Sequence, residues 1–176
     1  MRIDQLAKVM HHAPLTRLVG HLPHLERALV EFDITTPLRQ AAFVAQLAHE
    51  SGELRYFEEI ADGSAYEGRA DLGNTQPGDG KRYKGRGPIQ LTGRANYRKA
   101  GKALGLPLEE HPEIVEHPDV GFRVAGWFWR DEKNLNHWAD AGPQAFDAIT
   151  KRINGGMNHA AERRAYYDTA RKVLGC

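Results

Sequence analysis

Apolar residues recur at helical spacing in seven stretches of this chain, and such spacing predicts α-helices. The predicted helices cover residues 3–10, 22–32, 38–49, 97–104, 120–130, 143–153 and 160–174. Pro23 is expected near the first turn of the second helix, where a missing backbone N–H is tolerated. The aromatic residues Trp127, Phe128 and Trp129 are expected to pack in the core. The pattern therefore predicts a mainly α protein.

The third predicted helix is apolar on nearly all of its sides and ends at a charged residue. Thr36 and Pro37 form a good N-cap and first-turn pair, and residues 38–49 are rich in alanine. A helix without a polar face is usually buried. Glu50 is therefore expected close to a low-dielectric interior, where a charge is costly to hold.

Helical spacing is lost between Gly52 and Asn96, where frequent glycines interrupt any regular element. We expect short strands or turns here, within an ordered, irregular glycine-rich loop region. Residues 88–92 alternate between apolar and polar types, which in an extended chain would place Gln90 and Thr92 on one face. That face would line a cleft.

The composition fits one folded domain without a strong overall charge. With 176 residues, 41% of them hydrophobic, the chain can bury one sizeable core, so residues 1–176 are expected to form a single domain. Its 24 basic and 23 acidic residues provide no field that would attract nucleic acid. Residues 81–102 hold eight basic and no acidic side chains, a basic segment that would favour an anionic surface.

The sequence also gives expectations about the cellular compartment and the oligomeric state. The single cysteine, Cys176, cannot form an internal disulfide, which suits synthesis in a reducing cytoplasm. No apolar run is long enough for a signal peptide or a membrane span, so we expect no stable membrane insertion and export only with outside help. A monomer is the default expectation.

Paired carboxylates are the chemistry that the sequence offers most clearly. Two carboxyl groups in one cleft can hydrolyse a glycosidic bond, one as acid and the other as base or nucleophile. Glu50 is the first candidate for the acid, against the alternative that it only forms a salt bridge. The candidate partners are Glu53, Glu58, Glu59 and Glu67. An unbroken helix would separate Glu50 from Glu59 by about 13.5 Å, so the helix must end near Ser51 and Gly52.

Other chemistries fail specific tests. His49 is followed four positions later by Glu53 where a zinc-protease helix has a second histidine. The segment Gly85-Arg86-Gly87 follows no clear strand and lacks the third glycine of a dinucleotide-binding motif. The nine histidines show no metal-ligand spacing. We therefore expect no metal and no cofactor.

Four blocks of sequence resemble glycoside hydrolase family 19, the chitinase-like family that includes many phage endolysins. They are residues 42–46 with 49–52, residues 83–92, Asn96-Tyr97, and residues 153–156 followed by Arg163. The resemblance implies a lysozyme-like helical fold of two lobes with a central substrate cleft. It also implies an inverting mechanism with one glutamate as acid and another as base.

The resemblance assigns roles to individual positions. Glu50 matches the acid, and Glu59 matches the second glutamate of the endolysin branch, with Glu67 as the reserve base and Glu58 as the third choice. Thr92 matches the residue that helps to hold the attacking water. Positions that contact sugar or support the cleft are matched by Tyr83, Gln90, Asn96 and Asn154, and a family arginine near the carboxylates is matched by Arg163.

The function implied is that of an endolysin that cuts the β-1,4-linked glycan strands of bacterial peptidoglycan. Such an enzyme is made in the host bacterial cytoplasm and released to the cell wall at lysis. Two alternatives stay open: a chitinase that acts on N-acetylglucosamine polymers, and a catalytically silent cell-wall glycan-binding protein. Glu50 beside Gln90 and Thr92 argues against the silent protein.

Overall fold

A computed structural model describes all 176 residues, and the predicted mainly α architecture is confirmed. The nine α-helices are α1 (Ile3–Val9), α2 (Leu15–Glu31), α3 (Pro37–Glu50), α4 (Asp79–Arg82), α5 (Arg94–Leu104), α6 (Pro118–Trp127), α7 (Leu135–Asp140), α8 (Phe146–Asn154) and α9 (Ala160–Leu174). Short 3-10 turns connect several of them, and a π-helical turn, Phe128–Glu132, extends α6. No helix combines the length and apolar character needed to cross a bilayer.

Helix α3 is the centre of the core, as its apolar surface predicts. Its residues 41–48 are all buried, and it packs against α7 and α9. Thr36 caps it, with the side-chain oxygen accepting the Arg39 N–H at 3.3 Å. Around α3 the core contains Trp127 and Trp129 as expected, whereas Phe128 is only partly buried. Glu50 therefore lies at the edge of the core, at the end of a helix whose position is fixed by its buried packing.

The start of the second predicted helix is wrong, and two short helices, α4 and α7, are not predicted. Helix α2 begins at Leu15, not at residue 22, so Pro23 lies in its interior and removes one backbone hydrogen bond there. The burial of Leu18, Leu25 and Leu29 along the helix compensates for that loss. Helix α7 was not predicted, because its six residues are too few to show a helical period.

The glycine-rich region contains two isolated β-bridges and short helical turns, but no regular strand. The prediction that residues 88–92 form an extended segment is wrong. Arg86 and Leu91 exchange backbone hydrogen bonds of 3.1 and 2.9 Å, which closes a tight turn, and Gln90 has a φ of +57° within it. Alternation of residue types therefore does not place Gln90 and Thr92 on one face, because the backbone reverses direction between Arg86 and Leu91.

The basic segment 81–102 does not form a free positive surface. Six of its eight cations are paired with acidic side chains from outside the segment. The paired cations are Lys81, Lys84, Arg86, Arg94, Arg98 and Lys99. Arg82 donates to the main-chain oxygen of Glu110 at 2.7 Å. The expected attraction to an anionic surface is therefore largely cancelled at short range.

His21 makes the stability of the fold depend on pH. Its ring is half-buried and stacked on Phe57 at 4.8 Å, and its Nδ1 has no partner. Burial lowers the pKa of His21 from its ordinary value of 6.5. Below that pH the unfolded chain binds a proton that the folded protein resists. The contribution of His21 to stability is therefore fully present above pH 6.5 and is lost as the pH falls further.

Replacing His21 with Phe should keep the stacking and remove this sensitivity. We expect the Tm of His21→Phe to fall by a few degrees less than that of the parent between neutral pH and about pH 5. The same substitution at the exposed His137 is the control, and it should leave the pH dependence unchanged. Identical acid profiles for His21→Phe and the parent would rule out a role for His21.

Candidate active site

Glu50 lies at the last position of α3, with its side chain 18% exposed. Arg163 of α9 places Nη1 2.6 Å from the Glu50 Oε1. The arginine side chain is 2% exposed, so this ion pair is shielded from bulk water on one side. The two matched residues are thus brought together.

A buried chain of polar groups fixes the arginine. Arg163 Nη1 also donates to Gln46 Oε1 at 2.5 Å, and Gln46 Nε2 donates to Thr150 Oγ1 at 2.9 Å. This network joins α3, α8 and α9 beneath Glu50. Sequence reasoning assigned no role to Gln46 or Thr150. The available signal was Gln46 itself, a polar residue in an otherwise apolar run and one helical turn before Glu50.

Helix α3 ends near Ser51 and Gly52, as the sequence predicts, and an unusual turn follows it. Gly52, Glu53 and Leu54 have φ values of 55°, 57° and 61°, so three successive residues adopt the left-handed conformation. This conformation is costly for residues other than glycine. Ser51 holds the turn, since its Oγ donates to the Leu47 oxygen at 2.6 Å and accepts the Leu54 N–H at 2.8 Å. The chain thereby reverses away from α3.

The Glu53 carboxylate of this turn is engaged by residues of other elements, and no hydrogen bond joins it to Glu50. It is 3% exposed, and its oxygens accept the His12 N–H at 2.8 Å and the Tyr166 hydroxyl at 2.9 Å. The His12 Nδ1 lies 2.9 Å from the same carboxylate. Burial, together with the bond to Glu53, raises the pKa of Tyr166, which keeps the phenol protonated as a donor.

Glu59 follows the reversed segment, and the glycine-rich region holds it firmly. Tyr66 donates its hydroxyl to Glu59 Oε1 at 2.9 Å, and the Gly85 N–H donates to Oε2 at 3.0 Å. The Glu59 N–H also donates to the Gly85 oxygen at 2.9 Å. A side chain at Gly85 would lie 2.7 Å from Gln90 Oε1 and 3.1 Å from Glu59 Oε2. The Gln90 and Glu59 side chains therefore both approach the backbone at Gly85, and a side chain there would displace them.

The other candidate bases are engaged elsewhere. Glu58 is 47% exposed and pairs with Lys84 at 2.8 Å. Glu67 accepts the N–H groups of Gly78 and Gly80, both at 2.7 Å, one on each carboxylate oxygen. Glu67 thus closes the loop around α4. Among the glutamates after α3, the surroundings of Glu59 suit a fixed base best.

Thr92 and its supporting residues form the wall next to Gln90. The Thr92 hydroxyl donates to the Gln90 oxygen at 3.0 Å, and Asn96 Nδ2 donates to the Thr92 oxygen at 2.7 Å. Asn96 therefore holds the backbone of Thr92. Tyr83 is 1% exposed and donates to the Glu109 oxygen at 2.9 Å, so it supports the region from within and has no surface for a sugar.

Asn154 and His49 are two further polar residues of interest, and His49 directly precedes Glu50. Asn154 ends α8, and its Nδ2 is a buried donor without a protein partner, as is the Nε of Arg163. Buried donors are usually satisfied, so each of these two atoms would gain from a partner that the protein itself does not supply. The His49 Nδ1 lies 3.2 Å from Glu162 Oε2. Burial, then the charge of Arg163, lowers the pKa of His49, which favours the neutral ring beside Glu50.

Comparisons with known proteins agree with this arrangement. An endochitinase of Arabidopsis thaliana is 49% identical over 117 residues, which cover 66% of this chain and 39% of the relative. A glycosyl hydrolase family 19 domain-containing protein of Haemophilus influenzae is 29% identical over 163 residues, covering 74% of this chain and 77% of the relative. The chain thus spans about two-fifths of the plant relative's length.

The fold agrees as well. The crystal structure of chitinase C from Streptomyces griseus superposes with a TM-score of 0.78 at 27% identity, covering 99% of this chain and 76% of the other. This likeness confirms the expected lysozyme-like helical architecture. The family model of class I chitinases matches residues 33–172, which include Glu50, Glu59, Thr92 and Arg163. The chain therefore belongs to glycoside hydrolase family 19.

Proposed function

We propose that this protein is an endolysin that hydrolyses β-1,4 glycosidic bonds of bacterial peptidoglycan by an inverting mechanism. The observation that carries the proposal is that two glutamates of this region are held in different ways. Glu50 projects from a buried helix against Arg163, whereas Glu59 is fixed by Tyr66 and Gly85 on the segment that turns back from that helix. Two carboxyl groups in unlike surroundings suit the separate roles of acid and base.

In the proposed reaction Glu50 donates its proton to the glycosidic oxygen as the bond from that oxygen to the anomeric carbon breaks. The carboxylate that remains is stabilised by Arg163. Glu59 takes a proton from a water molecule whose oxygen attacks the anomeric carbon from the opposite face. The Thr92 hydroxyl helps to hold that water, while Gln90 and Asn154 contact the sugar. Both glutamates exchange protons with water before the next turnover.

Peptidoglycan is favoured by the spacing of the two glutamates. Glu59 follows Glu50 by nine residues, the arrangement for which the sequence resembles the endolysin branch. On this proposal the protein acts as a monomer, accumulates in the host bacterial cytoplasm and reaches the glycan strands of the wall at lysis.

Chitin hydrolysis is the second candidate, because the similar proteins include endochitinases of Arabidopsis thaliana and Zea mays. The test is mass spectrometry of the products after incubation with purified peptidoglycan and, separately, with chitin oligomers. Soluble muropeptides that are absent with Glu50→Gln would support the endolysin. Cleavage of chitin alone would establish the chitinase, and cleavage of neither substrate would favour the silent glycan-binding protein.

The identity of the base is tested by separate substitutions. In Glu59→Gln the amide oxygen can still accept the Gly85 N–H, and the amide nitrogen can donate to the Tyr66 hydroxyl oxygen. The side chain stays in place but loses its proton acceptor, so we expect turnover to fall by about 10²- to 10⁴-fold. Glu67→Gln should cost much less turnover, since Glu67 only binds backbone N–H groups. The measurement is kcat on the substrate identified above. A larger loss for Glu67→Gln would reverse the assignment, and small, equal losses would exclude both residues.

A further inference from the structure

We propose that His11, His12 and Glu53 form a binding site for a divalent transition-metal cation of the zinc type. The three residues lie where the corner between α1 and α2 meets the left-handed turn after α3. Their potential ligand atoms all lie within 4.8 Å of one another. Two imidazole nitrogens and one carboxylate oxygen are a ligand set that Zn²⁺ accepts, with water in the fourth position.

The charge of Glu53 supports a cation here. This carboxylate is buried, yet no lysine or arginine contacts it. Arg17 approaches only the main-chain oxygen of Glu53, at 3.5 Å. A buried carboxylate without a permanent cation is costly, and a divalent ion bound between Glu53 and the histidines would compensate its charge.

The donors around Glu53 already orient it as a ligand. Tyr166 donates to Oε1 at 2.9 Å, and the His12 N–H donates to Oε2 at 2.8 Å. Hydrogen bonds of this kind fix the direction of a metal-binding carboxylate and contribute strongly to affinity. The His12 Nδ1 lies 2.9 Å from Glu53 Oε1. A metal ion bound by both atoms would take the place of the hydrogen that they share.

The surroundings on the His11 side also favour a cation. The groove that contains both histidines is lined further by Val9, Glu162, Ala165, Tyr166 and Thr169, with no lysine or arginine among its walls. Glu162 adds a second negative charge there. On the Glu53 side Arg17 and Arg55 line the neighbouring groove, but neither forms an ion pair with the Glu53 carboxylate. His11 and His12 are exposed, so their rings can turn to reach the Zn–N distance of about 2.0–2.1 Å. The site was not visible as a motif, because Glu53 lies 41 positions from His12 in the sequence.

The test is a calorimetric titration of Zn²⁺ into tag-free protein pretreated with EDTA. We expect one ion per chain and a Tm that rises on binding and returns when EDTA is added. His11→Ala and His12→Ala should each weaken binding at least about 10-fold, and Tyr166→Phe by about 10- to 100-fold. His137→Ala, which removes an exposed histidine elsewhere, is the matched control and should bind like the parent.

Absence of binding by the parent would overturn the proposal, as would unchanged binding by both His11→Ala and His12→Ala. If His12→Ala is destabilised by loss of its bond to Glu53, His11→Ala still decides the question, because the His11 side chain makes no hydrogen bond in the metal-free protein. Mg²⁺ serves as a further control and should not compete, since it prefers an octahedron of oxygen ligands.

Discussion

Glu50→Gln should lower turnover by about 10²- to 10⁴-fold, the range that a general acid contributes. The amide keeps the size of the side chain and an oxygen for Arg163, but it has no proton to donate to the leaving oxygen. The fold should persist, with a modest fall in Tm, because Arg163 then lacks a negative partner. The measurements are the rate of release of soluble glycan products and a thermal melt of each protein.

Glu110→Gln is the matched control for this substitution, because Glu110 has an exposed side chain without an ion pair. It should keep the parent rate and Tm. If Glu50→Gln retained the parent rate with an unchanged melt, Glu50 would not be the acid and the proposed mechanism would fail.

Arg163→Met should produce the largest loss of stability, about 3–5 kcal/mol in the free energy of unfolding. Methionine fills much of the space but leaves Glu50 without its cation and Gln46 Oε1 without its donor. Activity should fall as well, since the carboxylate formed during proton donation is no longer stabilised. Urea unfolding at neutral pH gives the free energy, and kcat gives the effect on turnover.

Arg163→Lys separates charge from geometry. A single ammonium keeps the charge but loses the planar fork of the guanidinium, so we expect stability between those of Arg163→Met and the parent. The double variant Arg163→Met with Glu50→Gln should lose less stability than the two single variants lose together. Both charges of the ion pair are removed in it, so no unpaired charge remains. Additive losses, or a fully stable Arg163→Met, would show that the buried network has little importance.

The role of α3 was predictable from the sequence because its signal is local and unambiguous. A helix that is apolar on all sides has to be buried, and Ser51 and Gly52 mark where it ends, so the position of Glu50 follows. The matches at Arg163 and Glu59 added partners that spacing alone left open. The structure brings Arg163 to Glu50 and fixes Glu59 by contacts from the glycine-rich region.

The parts that sequence reasoning missed depend on contacts between distant residues. Tyr66 and Gly85 hold Glu59, yet nothing in their own neighbourhoods indicates that role. The alternation at residues 88–92 indicated an extended chain, whereas a bridge between Arg86 and Leu91 imposes a turn with a left-handed Gln90. Local pattern predicts elements, but it does not predict which loop closes on which side chain.

Helix α2 shows the same limit in another form. Proline near a plausible helix start is a good local indication of a first turn, and the apolar spacing after Pro23 agrees with it. The helix nevertheless continues back to Leu15, because buried leucines on both sides of Pro23 stabilise one continuous element. Tertiary packing overrides the local preference at this position.

The buried network of Gln46, Thr150 and Arg163 also sets the order in which activity can arise during folding. Its members come from α3, α8 and α9, so Glu50 acquires its cation only after the C-terminal helix has docked against α3. A nascent chain that has completed α3 and the glycine-rich region carries both glutamates but lacks Arg163 and Asn154. The ion pair between Glu50 and Arg163 is therefore absent during synthesis and forms only when α9 has packed against α3.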